Sequence, residues 1–336
     1  MSRRQASPAL VLRPIPPFRL DLTTWALRRR PRNLIDRWDG LIYKRAIVLG
    51  EQLTELAVQQ TGSLDAPRLV ATTIPALRTL QETRSVRLVL ERLLGLQIDL
   101  SDWYDMAVHD ARLRPLAEAF RGMKPPRFPS LFEAVINAIA CQQLSLEVGL
   151  ELLNRLASAS GASPVTTDVE VRYAFPTAHD VARLSPKKCR QMGFSHQKTR
   201  ALLGLAGDIE ERTLDLEAIG LEDDAAVRRR LLELRGIGRW SAEYALLRGL
   251  GRLHVFPGDD VGAQKRLARW LGRSRPLDYA GVARVVERWQ PYAGLVYFHL
   301  LLHGLSQAGV LADCAQSGLI MEEWAPDHPR SSRTEI

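Results

Sequence analysis

Two acidic side chains, Asp259 and Asp260, stand together at the end of "HVFPGDD", directly before the apolar-periodic run "VGAQKRLARWLG". Adjacent carboxylates can do electrostatic or acid–base work on a substrate. They can also cap a helix, but a cap uses one Asp, and the second is surplus to that need. Upstream, "LRGIGRWSAEYALLRG" sets Gly236 and Gly238 around Ile237, then puts Trp240 and Tyr244 at i, i+4 on one helical face. Aromatics at that spacing form either a core stripe or a wall for a flat ligand. His299 and His303 have metal-ligand spacing, yet "HLLLH" supplies no Glu and no third ligand, so both read as core histidines.

The elements that must position these residues are legible around the glycines. "DDAAVRRRLLEL" begins with a cap at Asp223 or Asp224 and carries apolar residues at Val227, Leu231 and Leu234. A second helix begins near Arg239, with Ala242, Ala245 and Leu246 as its packing face. Gly236 and Gly238 admit backbone angles closed to other residues and leave amides bare at the start of that helix. Bare amides, helix dipole and close approach together make an anion site. Flanked by Arg235 and Arg239, it suits a DNA phosphate and reads no base sequence.

The bulk properties agree with an anionic partner. The 336 residues carry a net charge of +8, and Arg outnumbers Lys by 40 to 6; a GC-rich genome accounts for most of that bias, though Arg also suits phosphate. Cys141, Cys189 and Cys314 lie far apart, which argues against a disulfide framework, a zinc ribbon and a four-cysteine iron–sulfur cluster. The prolines of "MSRRQASPALVLRPIPPF" break its apolar run too early for a signal peptide, and no stretch has membrane-spanning length. A cytoplasmic, DNA-associated protein is the expectation.

The fold class expected is α+β: a mostly helical core plus a small N-terminal α+β domain. Residues 1–115 mix β-type alternation, as in "PPFRLDLTTW" and "LIYKRAIVLG", with helical runs such as "RSVRLVLERLLG". "RGMKPPRFPS", 121–130, reads as a connector. Residues 116–319 form the helical core, with the hairpin at 223–250 and Ser130 and Glu133 at capping-box spacing. The polar residues 320–336 read as a frayed tail.

"LRGIGRWSAEYALLRG" resembles the helix–hairpin–helix of the DNA glycosylase superfamily, and "HVFPGDD" resembles the loop that follows it. "NAIACQQLS", "AFPT" and "GFSHQKTRAL" fit the same family in the same order. The branch most similar is DNA-3-methyladenine glycosylase II, over residues 115 to 305 above all. The resemblance implies a glycosylase that hydrolyses the N-glycosidic bond of alkylated purines, such as 3-methyladenine, in double-stranded DNA by base flipping, which initiates base excision repair.

By match to the family motif, Asp260 is the catalytic residue and Asp259 a cap or support. Breaking the bond puts positive charge on the sugar, which a fixed carboxylate stabilises while it orients or deprotonates the attacking water. Trp240 and Tyr244 become walls for a flipped, cationic base. Strand-cutting members carry a Lys where this chain has Trp240, so no Schiff base and no strand cleavage are expected. Leu301 stands where the branch has a third pocket aromatic, two residues after His299, with Tyr297 or Phe298 as neighbours that compensate.

In the segment "QQLS", Gln143 matches the wedge that fills the gap in the duplex, with Leu144 the apolar alternative. The amides of a helix end give a plainer reading of the same stretch, and Ser195 with Lys198 reads as a helix cap with a surface charge. The phosphate grip falls on Arg235, Gly236, Ile237, Gly238 and Arg239. No cofactor is required, although family hairpins bind one Na+ or K+ through carbonyls, by position those of Leu232, Leu234 and Ile237. A monomer is expected. Two other readings remain: the same scaffold acting on a deaminated base, and a non-catalytic DNA-binding module, against which the surplus Asp260 argues.

Overall fold

The computed structural model describes residues 9–50, 52–160 and 173–311; Cys314 and the tail 320–336 lie outside the described residues. Strands β1 (Leu10–Leu12), β2 (Arg37–Trp38), β3 (Ile42–Leu49), β4 (Gln52–Gln60) and β5 (Leu69–Ile74) form an antiparallel sheet in the order β1-β5-β4-β3-β2. Pairs such as Ile47 with Thr54 and Val58 with Ala71 set its register. Tyr43, Leu56, Val58 and Leu69 are fully buried. Helix α2 (Leu80–Leu94) covers the sheet with Val86, Leu90, Leu93 and Leu94. Each such apolar side chain contributes about 1.5–3 kcal/mol on burial.

"PPFRLDLTTW" is not a strand: α1 runs from Leu20 to Arg28. The alternation Phe18, Leu20, Leu22 misleads because it straddles the helix start; within α1, Asp21, Thr24 and Arg28 recur at helical spacing. The helix lies between two apolar clusters, giving Leu20 and Leu27 to one and Leu22, Trp25 and Ala26 to the other. The "connector" is also not a surface linker. Met123, Lys124 and Phe128 are buried, and the Lys124 ammonium donates to the Ile98 carbonyl at 2.7 Å. Burial pulls the Lys124 pKa down to about 8.

The remaining described helices are α3 (Ser101–His109), α4 (Leu113–Ala119), α5 (Leu131–Cys141), α6 (Leu146–Ser160), α7 (Ala178–Ala182), α8 (Pro186–Gln191), α9 (His196–Glu210), α10 (Leu216–Ile219), α11 (Asp224–Glu233), α12 (Arg239–Arg248), α13 (Val261–Trp270), α14 (Tyr279–Val286) and α15 (Ala293–Gln307). This is the mostly helical core expected beyond Ser130, so the chain is α+β. Helices α3 and α4 pack with α13–α15 rather than on the sheet. Helix α5 is buried all round, its polar Glu133 and Asn137 included, and central, touching α6, α9, α10 and α12. No helix among the described residues is long and apolar enough to cross a membrane.

Sheet and helical core are joined by a buried charge cluster. Arg45 on β3 donates to Asp36 at 2.7 Å and to both oxygens of Glu133 at 2.6 Å. Only half of the expected capping box therefore forms: the Ser130 hydroxyl accepts from the Glu133 amide at 3.1 Å, while the Glu133 carboxylate turns to Arg45. Burial raises the Glu133 pKa, and Arg45 opposes that rise.

Candidate active site

Helix α11 starts at Asp223, whose side chain accepts from the Ala226 amide at 2.9 Å, so the cap is Asp223 and not Asp224. Gly236 then turns the chain at φ +81, and a Cβ there would lie 2.7 Å from that of Ala201. Gly238 is different. It sits in extended backbone at φ −101, and a Cβ would meet nothing within 4 Å. Its lack of a side chain keeps the start of α12 open rather than permitting a special angle. Ser, Thr or Asp side chains cap α7, α8, α9, α10, α11, α13 and α14. Helix α12 has no side-chain cap, so its first amides stay available to an outside acceptor.

Those amides open onto a groove of about 770 Å³. Lys198, Arg200, Arg235 and Arg239 make its lining basic, and Gln143, Trp240 and Val261 complete its walls. Arg235 and Gly236 are exposed, whereas Ile237 is only 8% exposed and packs inward. Arg239 is not a free phosphate ligand: its guanidinium donates to both Asp259 oxygens at 2.6 and 3.0 Å and lies 3.7 Å from the centre of the Tyr279 ring. The Leu234 carbonyl accepts the Ile237 amide at 3.1 Å, closing the turn.

The two carboxylates divide their work differently from the expectation. Asp259 grips Arg239, and the cap of α13 is Asp260, whose Oδ1 accepts from the Ala263 amide at 2.7 Å. Its Oδ2 accepts from the Tyr297 hydroxyl at 2.9 Å. The residue expected to be catalytic is thus also the cap, and its half-buried carboxylate is held through both oxygens, next to the groove residues Asp259 and Val261. The helix N-terminus favours its negative charge. Burial, with Asp260 adding to it, holds the Tyr297 pKa well above its ordinary value, so the hydroxyl stays a donor.

Trp240 is half-buried and faces the groove, with its ring centre 5.4 Å from that of Tyr244 behind it. Tyr244 is 3% exposed, and its hydroxyl accepts from Arg29 at 2.7 Å. Leu301 does not line the groove; it is 4% exposed within the α13–α15 cluster. Among its named neighbours, Tyr297 reaches the site through Asp260, while Phe298 is fully buried. His299 is a core residue: its ring stands 5.0 Å from Trp103, Nδ1 lies 2.9 Å from the Leu295 carbonyl, and burial lowers its pKa to about 4.

The wedge segment is anchored more firmly than its sequence suggests. Gln143 is exposed, at a left-handed φ of 53, and Leu144 is 43% exposed. Beside them, Gln142 donates to the Gly236 carbonyl and the Ser241 hydroxyl, both at 2.8 Å. Lys198 is no plain surface charge, for its ammonium donates to the Ala140 and Gln142 carbonyls at 2.8 Å. It thus terminates α5, where a cation offsets the helix dipole.

Sequence reasoning missed Arg29. It is 4% exposed at a left-handed φ of 65 and donates to Tyr244 and Asn137. Nothing in "LRRRP" separates it from the arginines on either side. Gln142, by contrast, fits the plainer reading of helix-end amides that satisfy backbone groups, while the expected surface charge of Lys198 is corrected to a part-buried tie on the end of α5.

Comparison with known proteins places this geometry. The family described as HhH-GPD superfamily base excision DNA repair protein matches residues 136–291. A DNA-3-methyladenine glycosylase of Bacillus subtilis (strain 168) is 24% identical over 289 residues, 84% of this chain and 94% of that protein. DNA-3-methyladenine glycosylase 2 of Escherichia coli (strain K12) is 29% identical over 185 residues, 55% of this chain and 62% of that protein. The solved 3-methyladenine DNA-glycosylase from Archaeoglobus fulgidus shares the fold, with a TM-score of 0.76 at 24% identity over 88% of this chain and 97% of that one. The residues that match the HhH-GPD superfamily, 136–291, run from within α5 across the hairpin to the turn before α15 and take in the groove, Asp259 and Asp260.

Proposed function

We propose that the protein is a monofunctional DNA glycosylase that releases alkylated purines, such as 3-methyladenine, from duplex DNA. The observation that carries this reading is the Asp260 carboxylate, fixed through both oxygens beside a basic groove walled by Trp240. The bare amides of α12, with Arg235 and Arg200, take backbone phosphates. Gln143 and Leu144 fill the gap left in the duplex, and the extruded base stacks on Trp240 with Tyr244 behind it. As the glycosidic bond breaks, positive charge grows on the sugar and Asp260 stabilises it. The same carboxylate orients the water that attacks the sugar carbon and accepts its proton. An alkylated purine is already a good leaving group, so no general acid is needed.

Trp240 cannot form an imine, which supports base removal without strand cleavage. The carbonyls of Leu232, Leu234 and Ile237 are hard oxygen donors at a turn that would hold one Na+ or K+ and brace the hairpin. A deaminated purine is the second reading, favoured by the buried Arg29 cation behind Tyr244, because a cation there disfavours a cationic base. A panel of duplexes, each with one defined lesion, separates the two. Alkylated purines are expected among the released bases, and borohydride is expected to trap no covalent adduct. Release of deaminated purines alone selects the second reading, and a trapped adduct contradicts the monofunctional one.

Gly238 gives a separate check on the phosphate grip. A Cβ at Gly238 meets nothing within 4 Å, so Gly238→Leu is expected to fold while its side chain screens the α12 amides. Affinity is expected to fall about tenfold on every duplex alike, because phosphate contacts carry no sequence information. Unchanged binding, or a loss confined to certain sequences, contradicts the grip.

A further inference from the structure

The loop that delivers Asp260 is tied down by side chains with no part in the chemistry above. Glu243 on α12 is only 2% exposed. Its Oε2 accepts from the Gly258 amide at 3.0 Å, and its Oε1 accepts from the Tyr279 hydroxyl at 2.7 Å. The Gly258 carbonyl accepts from the Gln264 side chain at 2.8 Å, so both backbone polar groups of this residue are held. Gly258 has no room for a side chain, since a Cβ would lie 2.7 Å from the Tyr279 ring. The same ring lies 3.7 Å beneath the Arg239 guanidinium, which grips Asp259.

A carboxylate this buried is costly unless it is paired and hydrogen-bonded. Its nearest cation, Arg228, stands 3.6 Å away and is itself substantially exposed. Packing the hairpin against the loop needs only an apolar side chain at this position. What the carboxylate adds is two directed acceptor sites, one for the loop and one for the ring that shapes it.

We propose that Glu243 and Tyr279 are positioning residues: they clamp Gly258 and, through Arg239, Asp259, so that the next carboxylate points at the substrate sugar. The clamp links the phosphate-gripping hairpin directly to the loop bearing the reactive group. What Asp260 does once aimed rests on the glycosylase reading; the clamp itself does not. Misplacing a reacting group by about 1 Å can cost on the order of a hundredfold in rate, so loosening this loop is felt in the chemical step and not in DNA affinity.

The test uses the full chain as wild type, Glu243→Ala, Glu243→Gln and Tyr279→Phe. Three quantities are read: amide hydrogen exchange across 255–260, single-turnover release from a 7-methylguanine duplex, and affinity for a duplex bearing a stable abasic analogue. Glu243→Ala is expected to speed Gly258 exchange and slow release by about tenfold or more, with affinity within about twofold of wild type. Glu243→Gln keeps an oxygen for the Gly258 amide and is expected to recover both to within about threefold. Tyr279→Phe, which loses one hydroxyl and keeps the ring, falls between and decides the matter should Glu243→Ala not fold. Wild-type exchange and release in Glu243→Ala, or a loss shared equally by rate and affinity and not rescued by Gln, overturns the proposal. A wild-type protein that releases no alkylated base defeats the glycosylase reading alone, and the exchange measurement still decides the clamp.

Discussion

Asp260→Asn is expected to slow base release by at least about a hundredfold, the scale on which removal of one directed electrostatic group acts. Duplex affinity is expected to stay near wild type. The substitution removes the charge and puts an N–H donor where Oδ2 accepts, which the Tyr297 hydroxyl meets by turning to accept. Asn caps helices about as well as Asp, so its side-chain oxygen still accepts from the Ala263 amide, and the shape is conserved. The lost interaction with the helix dipole costs about 0.3–1 kcal/mol of stability, too little to unfold the protein. Single-turnover release from an alkylated duplex, measured beside its dissociation constant, reads both quantities. Retained turnover moves the catalyst elsewhere; Asp259 is an unpromising substitute, being bound to Arg239 through both oxygens.

Arg45→Ala is expected to cost about 3–5 kcal/mol of stability, among the largest effects available to a single side chain here. Arg45 is 1% exposed and links Asp36 on the sheet side to Glu133 on α5. Truncation leaves two buried carboxylates without the guanidinium that both accept from; Asp36 keeps the Tyr43 hydroxyl at 2.8 Å, and Glu133 keeps only the charge of Arg29. A urea titration reads the effect as a lowered midpoint with an unchanged slope. A change below about 1 kcal/mol would mean that water or a neighbour replaces the guanidinium, and that the sheet is not locked to α5 by charge. Because α5 ends at the wedge, wedge order is expected to fall with it.

The legible parts of the fold are those with local signals. Caps at Ser130, Ser195 and Asp223, the glycine turn at Gly236 and the apolar stripes beside them mark α5, α9, α11 and α12 before any coordinates. Helix α1 was misread because the alternation Phe18, Leu20, Leu22 straddles its first residue and outweighs the helical spacing of Asp21, Thr24 and Arg28. The two aspartates show a different limit. Sequence pointed to the pair, yet their division of labour depends on Arg239, twenty residues upstream, and on Tyr297, thirty-seven residues downstream. Arg29, Glu243 and Tyr279 were overlooked, and Lys198 read as a surface charge, for the same reason. Each acts through partners far along the chain, and a buried arginine or glutamate is spelled like an exposed one.

The most direct measurement compares two duplexes that differ only at the target nucleotide: one bears a cationic pyrrolidine in place of the sugar, the other a neutral abasic analogue. If Asp260 faces an extruded sugar that becomes positive during the reaction, the wild-type protein binds the cationic duplex more tightly by about a hundredfold or more, and Asp260→Asn abolishes that preference. Equal affinity for both duplexes in the wild type, or a preference that survives the substitution, would show that the carboxylate does not meet the sugar at all.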